Sequence, residues 1–159
     1  MTAAELARLT PEEKEAFHRG VEAKVTTFSY APVIGDRPKE IQNLVRIPSM
    51  KVAVQVVHSG GENNLHYHTG SDTTWMVLRG AVRFYGPGDV LIAELSEHQG
   101  ITIPGGARYW FEKTGEVDLE LLQMVAFDRT APKAERINVD AHKNWMEDAD
   151  LRVYEPATS

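Results

Sequence analysis

Cysteine is absent from all 159 residues. Neither a disulfide framework nor a thiolate metal site can form, so any bound metal must sit on nitrogen and oxygen donors. The same absence fits a reducing compartment, and a cytoplasmic location is expected. Apolar runs are short: none approaches the ~18 residues of a membrane span, and no basic segment followed by an apolar core of roughly 7 to 15 residues stands near Met1. Neither a membrane span nor a secretory leader is therefore expected. No Lys/Arg-dense run occurs and the formal charge is −6, which argues against a nucleic-acid surface.

Several catalytic devices are missing too. Ser49, Ser59, Ser71 and Ser96 lack the tight glycine-flanked context of a nucleophile elbow. The carboxylate pairs Glu12-Glu13 and Glu147-Asp148 fall in helix or tail segments, so glycosidase chemistry finds no buried pair. Gly86-Pro87-Gly88-Asp89 and Gly105-Gly106 read as turns between strands, since neither opens a helix with the lysine or spacing of a nucleotide loop.

What is present fits one domain, and a chain near this length buries about 68 to 70% of the surface its unfolded form exposes. Thr10-Pro11-Glu12-Glu13 predicts a helix start, with Thr10 capping, Pro11 at the first helical position and Glu13 at the capping-box spacing; the helix is expected to stop at Gly20. A short helix within residues 2 to 9 would precede it. From about Ile41 the apolar period becomes two, as in Val52, Val54 and Val56 alternating with Ala53, Gln55 and Val57. Residues 73 to 79, 81 to 85, 101 to 103, 108 to 112 and 118 to 127 read as further strands, a spacing that means a sandwich or barrel. The organisation predicted is an N-terminal helical arm over 1 to 40, a barrel over 41 to 130, and a tail over 131 to 159. Trp145, Met146, Leu151 and Tyr154 would anchor the tail to the barrel or to a second subunit.

The segment His66-Tyr67-His68 carries the chemistry. Side chains two apart on a strand point the same way, so both rings can lean onto one metal at about 2.0 to 2.1 Å. A turn at Gly60-Gly61-Glu62-Asn63-Asn64 leads into it.

Gly60, five residues, His66-x-His68 and a closing Gly80 resemble the first motif of the cupin superfamily, and Pro104-x-Gly106 resembles the middle of its second. The likeness covers residues 45 to 127, about half of the chain. It implies an all-β fold, the cupin-type double-stranded β-helix or jelly-roll barrel, with a short helical arm. It also implies one divalent metal ion, with iron, manganese, nickel, copper and zinc not distinguished. The chain departs from the pattern where metal-binding cupins usually carry Glu, which is Thr73 here with Asp72 beside it. It departs again where they carry a third His, here Tyr109, and His98 and Lys113 replace a glycine and an asparagine of the second motif.

With His66 and His68 inward, the pairing the resemblance implies sends Thr73, Trp75 and Val77 inward from one strand and Tyr109 and Phe111 from another. On the late strand Val117, Leu119, Leu121, Gln123, Val125 and Phe127 share the inward parity. The expectation is an apolar pocket for a small-molecule substrate, lined by Thr73, Trp75, Val77, Phe111, Leu121 and His58, with few polar groups. His66, His68 and Tyr109 are the candidate metal ligands, and Tyr109 and Gln123 the candidate catalytic residues. Tyr109 could serve as a phenolate ligand or simply fill the place of the lost His. Arg46, Arg79, Arg83 and Arg108 are expected at the surface, Trp110 on the outer face. Two functions compete: a metal-dependent enzyme, dioxygenase-like or lyase-like, acting on a small oxygenated, partly apolar compound, and a non-catalytic small-molecule-binding cupin without a tightly held metal. A homodimer is expected, its arm and tail covering strand edges.

Overall fold

The structure, a computed structural model, describes residues 1–32, 35–58, 63–131, 133–139 and 151–155. Ser59, Gly60, Gly61, Glu62, Trp145, Met146, Glu147 and Asp148, named above, lie outside the described residues.

The arm holds two helices, α1 (Ala3–Ala7) and α2 (Pro11–Glu22), each opened by a capping box. In α2 the Glu13 amide donates to the Thr10 hydroxyl at 3.2 Å while Glu13 Oε2 accepts from the Thr10 amide at 2.8 Å. Gly20 does not end α2, which runs two residues beyond it; the Ala23 amide still reaches the Arg19 carbonyl at 3.0 Å. A glycine inside a helix costs only about 1 kcal/mol, too little to stop one that other bonds sustain. Neither helix buries a residue.

Eleven strands follow, counting the described residues: β1 (Lys39–Ile47), β2 (Met50–Val57), β3 (His66–Thr69), β4 (Ser71–Arg79), β5 (Ala81–Tyr85), β6 (Leu91–Ser96), β7 (Gly100–Ile103), β8 (Trp110–Thr114), β9 (Leu119–Phe127), β10 (Glu135–Asn138) and β11 (Leu151–Tyr154). One sheet has the order β11-β1-β2-β9-β4-β7. The pairs β10-β3 and β6-β5-β8 form the opposing layer, and a bridge between His66 and Tyr109 joins them. The strand at Leu91–Ser96 was not among those expected from the sequence; four of its six residues are exposed, and only Ala93 and Leu95 turn partly inward. Beyond residue 130 the chain still supplies strands: β10 pairs antiparallel with β3, and β11 pairs parallel with β1.

Register fixes which side chains face the interior. Gln55 pairs with Leu121 and Leu121 with Val77, while Ala53 pairs with Gln123 and Gln123 with Trp75. Directly opposed residues share a face, so these six look inward together. Val117 departs from the inward parity expected of it, being 47% exposed just ahead of β9. The core comprises Val57, Trp75, Val77, Val82, Phe84, Ile103, Tyr109, Phe111, Leu119 and Leu121. Its rings interlock off-parallel, Trp75 and Phe111 with centres 5.6 Å apart at 66° and Phe84 and Phe111 at 5.5 Å, arrangements worth about 0.5–1.5 kcal/mol each beyond area burial. Gly80 turns the chain between β4 and β5 at φ +83°, and a Cβ there would stand 2.9 Å from the Asp118 carbonyl oxygen. No side chain fits that place.

Candidate metal centre

The short strand β3 presents His66 and His68 on one face, with ring centres 5.1 Å apart. Metal–nitrogen bonds of about 2.0–2.1 Å place two imidazoles bound at near right angles roughly 5 Å apart, centre to centre. His66 Nδ1 lies 2.6 Å from the Asn64 carbonyl oxygen. A carbonyl only accepts, so Nδ1 carries the proton and Nε2 keeps its lone pair. This is the way metal-bound histidines are held, with the second ring nitrogen donating to the protein.

The electrostatics keep both rings neutral. Burial first, then the Arg136 guanidinium, push the His66 pKa down to about 3, against a partial opposing effect of the Asn64 hydrogen bond. His68 is lowered by burial, then by Arg136 and Lys51. A neutral imidazole is the ligating form.

Tyr109 stands with its ring centre 4.5 Å from that of His66 and 6.5 Å from that of His68. Its hydroxyl is buried and has no hydrogen-bond partner. Burial raises its pKa to about 12; the nearby Trp75 indole N–H lowers it in part, without the alignment of a true hydrogen bond. Without a cation beside it, Tyr109 is a phenol and a donor. Gln123 is held by the Gln55 amide, which donates to Gln123 Oε1 at 3.2 Å.

The other expected pocket residues are distributed unevenly. Thr73, Trp75, Val77, Phe111 and Leu121 are buried on the inner faces of β4, β8 and β9. His58 is one residue past β2, and its Nδ1 meets Asp118 Oδ2 at 3.0 Å, an ion pair when the ring is protonated. Asp72 is exposed and accepts from the Gly105 amide at 2.8 Å. Arg83 and Arg79 pair with Glu94 and Glu120 at 2.8 and 3.7 Å. Trp110 stacks on Tyr85 at 4.5 Å and donates to Asp89 at 3.0 Å.

An apolar interior with few polar groups is not what the fold builds. The apolar half, between β5 and β8 on one side and β4 and β9 on the other, is filled by the core side chains. The half facing β3 is polar: β1 and β2 present Lys39, Asn43, Lys51 and Gln55 on the inner face, set by the pairs Lys39 with Val57, Asn43 with Ala53 and Lys51 with Val125. Lys39 is 2% exposed, donates to Asn63 Oδ1 at 2.8 Å and lies 4.9 Å over the Phe111 ring. Arg136, opposite His68 on β10, joins them. These three cations escaped the sequence reading, although Lys51-x-Ala53-x-Gln55 carries the more polar parity of β2. The inward face there is the polar one, because Val52 and Val54 pack outside with Leu44, Tyr30, Leu122 and Met124. Two surface clefts, of 390 and 480 Å³, open beside Gly70 and Asp128, and neither is lined by His66, His68 or Tyr109.

As a holder for a divalent ion, the donor set fits on two points: two neutral imidazoles at the right separation, one with its tautomer fixed. Among the described residues no group of three His, Cys, Asp or Glu converges, so a further donor would be the Tyr109 or Gln123 oxygen or a ligand. Among the described residues no helix is long and apolar enough to cross a membrane.

No family model and no curated protein matches the sequence. Solved structures do match the fold. An uncharacterised conserved protein with a double-stranded β-helix domain from Klebsiella pneumoniae subsp. pneumoniae is 17% identical, with a TM-score of 0.52 over 60% of this chain and 81% of that one. An RmlC-like cupin protein from Desulfovibrio desulfuricans is 18% identical, with a TM-score of 0.53 over 64% and 97%. CapF, solved with the inhibitor 3-isopropenyl-tropolone, is 21% identical, with a TM-score of 0.53 over 70% of this chain and 35% of CapF. With its two layers bridged through His66 and Tyr109 and these likenesses, the chain has the double-stranded β-helix fold seen in these cupin structures.

Proposed function

We propose that the protein is a cupin-type metalloenzyme in which His66 and His68 hold one divalent ion through ring nitrogens and a small oxygenated, partly apolar compound completes the coordination. The observation that carries this is the fixed tautomer of His66, whose Nε2 is left free and unprotonated in a buried, neutral ring. A bound ion would supply Lewis-acid polarisation of a substrate oxygen, or a place for dioxygen if it is redox-active. Two neutral ligands leave its positive charge unreduced, which favours an anionic or chelating guest. Dioxygenase-like or lyase-like chemistry fits such a guest.

The chain's own residues then have defined work. Where it does not itself ligate the ion, Tyr109, whose pKa burial raises, can donate its proton to a developing oxyanion. Gln123, fixed by Gln55, orients the guest beside Trp75. Core rings exclude water from the far side. The small oxygenated ring that inhibits CapF is of the guest class proposed.

Metal content of protein purified without a chelating tag tests the reading. About one ion per chain in wild type, lost in His66→Ala and in His68→Ala, is expected. Wild type that stays empty after loading at micromolar metal refutes it and leaves the binding protein without a tightly held metal, the reading favoured by the lack of a third His or carboxylate. A homodimer is proposed as well, because helices α1 and α2 bury no residue and Val21, Val25 and Phe28 are left exposed; light scattering giving a monomer mass refutes it.

A further inference from the structure

β10 is short and close to the chain's end, but its register gives it a role. Glu135 pairs with Thr69, Arg136 with His68 and Asn138 with His66. Since opposed residues on an antiparallel pair share a face, Arg136 looks the same way as the two imidazoles. From the facing sheet Lys51 looks back at them, on the parity of Ala53 and Gln55. Both cations thus stand on inward faces, Arg136 on the strand paired with that of His68 and Lys51 on the facing sheet. Among the described residues neither closes an ion pair, although Glu155 is near enough to Lys51 to be felt. Arg136 remains accessible to solvent, so it stands at the mouth and not in the sealed core; enough protein surrounds its guanidinium for desolvation to lower its pKa.

Deeper in, the unmet groups are of another kind. The Trp75 indole N–H and the Tyr109 hydroxyl are each on residues 1% exposed; they lie beside one another, and neither makes a well-formed hydrogen bond. An indole N–H can only donate, and a buried donor without a well-formed acceptor is destabilising. The interior therefore asks for a negative charge at its mouth and an uncharged acceptor oxygen further inside, with the histidine pair between.

We propose that Arg136 and Lys51 form an anion site for the carboxylate of the substrate, and that Trp75 and Tyr109 take a second, neutral oxygen of the same molecule, so that the substrate class is small oxo or hydroxy carboxylic acids. This deepens the reading above and rests on it for the position of the reacting atoms. Arg136 supplies the planar fork that matches a carboxylate, and Lys51 a point charge opposite. These are binding and positioning residues. The apolar half of the barrel limits the remaining chain of the acid to a short hydrocarbon.

The test uses metal-free protein in chelator at low salt and a homologous series of linear 2-oxo acids from pyruvate upward, each compared with its methyl ester. The Trp75 indole N–H resonance reports occupancy. At least one acid is expected to shift that resonance and to bind about tenfold or more tightly than its ester, as charge-assisted bonds to carboxylate imply. Arg136→Gln and Lys51→Gln, both away from the packed core, are expected to remove that preference, and Arg136→Lys to restore part of it. Equal binding of acid and ester, no binding by any acid, an unmoved Trp75 resonance, or a preference that survives both Gln variants overturns the proposal. Acid preference in a protein that takes up no metal supports this site and refutes the metalloenzyme; metal uptake without acid preference does the reverse.

Discussion

The depressed pKa of His66 has a measurable consequence for stability. In the folded chain its ring titrates near 3, because burial and the Arg136 charge oppose the cation; unfolded, it titrates at the ordinary 6.5. Its folded pKa lies below the unfolded one, so the contribution is present in full above about 6.5 and is lost as pH falls towards 3, while the unfolded chain alone takes up the proton. Each pH unit in that window costs about 1.4 kcal/mol, so lowering the pH from about 7.5 to about 4.5 costs about 2.5 to 3 kcal/mol from His66. His68 adds a loss of the same sign. Carboxylates change stability over this range as well, so the quantity to measure is a difference. Urea unfolding in the presence of a chelator, at both pH values, is compared between wild type and His66→Gln, whose amide cannot titrate. Wild type is expected to lose about 2.5 kcal/mol more than the variant on acidification. Equal losses would mean that the ring is solvated or already protonated when folded, and would refute the buried neutral imidazole.

Three further outcomes are expected. Phe111→Ala removes a ring with no exposed surface that touches Trp75 and Phe84, and should cost about 3–5 kcal/mol in urea unfolding; a loss below about 1 kcal/mol would mean that the apolar half of the barrel is not packed as described. Gly80→Ala puts a Cβ into the Asp118 carbonyl at a positive φ and should destabilise by about 1–3 kcal/mol, whereas a neutral effect in thermal unfolding would contradict the turn. Thr10→Ala should raise amide exchange within α2, by removing a cap worth about 1 kcal/mol, and leave exchange in β2 and β9 unchanged.

The sequence made the strands legible where apolar residues recur at every second position, even where both faces are buried. Val52 to Val57 and Leu119 to Val125 alternate because their two faces meet different surroundings, and the closing Gly80 was visible because only glycine suits its backbone. Leu91–Ser96 was not legible, since four of its six residues are exposed and only Ala93 and Leu95 turn partly inward, which leaves a short, weak alternation. The histidine pair was legible from spacing alone. Arg136, Lys51 and Lys39 were not, for a physical reason: a lysine or arginine on a strand usually faces water, and only the register that sets Arg136 opposite His68 and Lys51 opposite Val125 turns them inward. The outer valines of β2 concealed this further, because a second apolar cluster on the outside of the sheet makes the wrong face look like the core.

Everything functional depends on two imidazoles ligating one ion, His66 through the nitrogen that points away from the Asn64 carbonyl. Pulsed electron paramagnetic resonance on the copper(II)-loaded protein reads this directly, since each coordinated imidazole modulates the echo through its remote, protonated nitrogen. The account predicts modulation from two imidazoles in wild type, from one in His68→Ala, and none with the bound-ion line shape in the double alanine variant. A wild-type spectrum without imidazole modulation, or one unaltered by removing either ring, would contradict it.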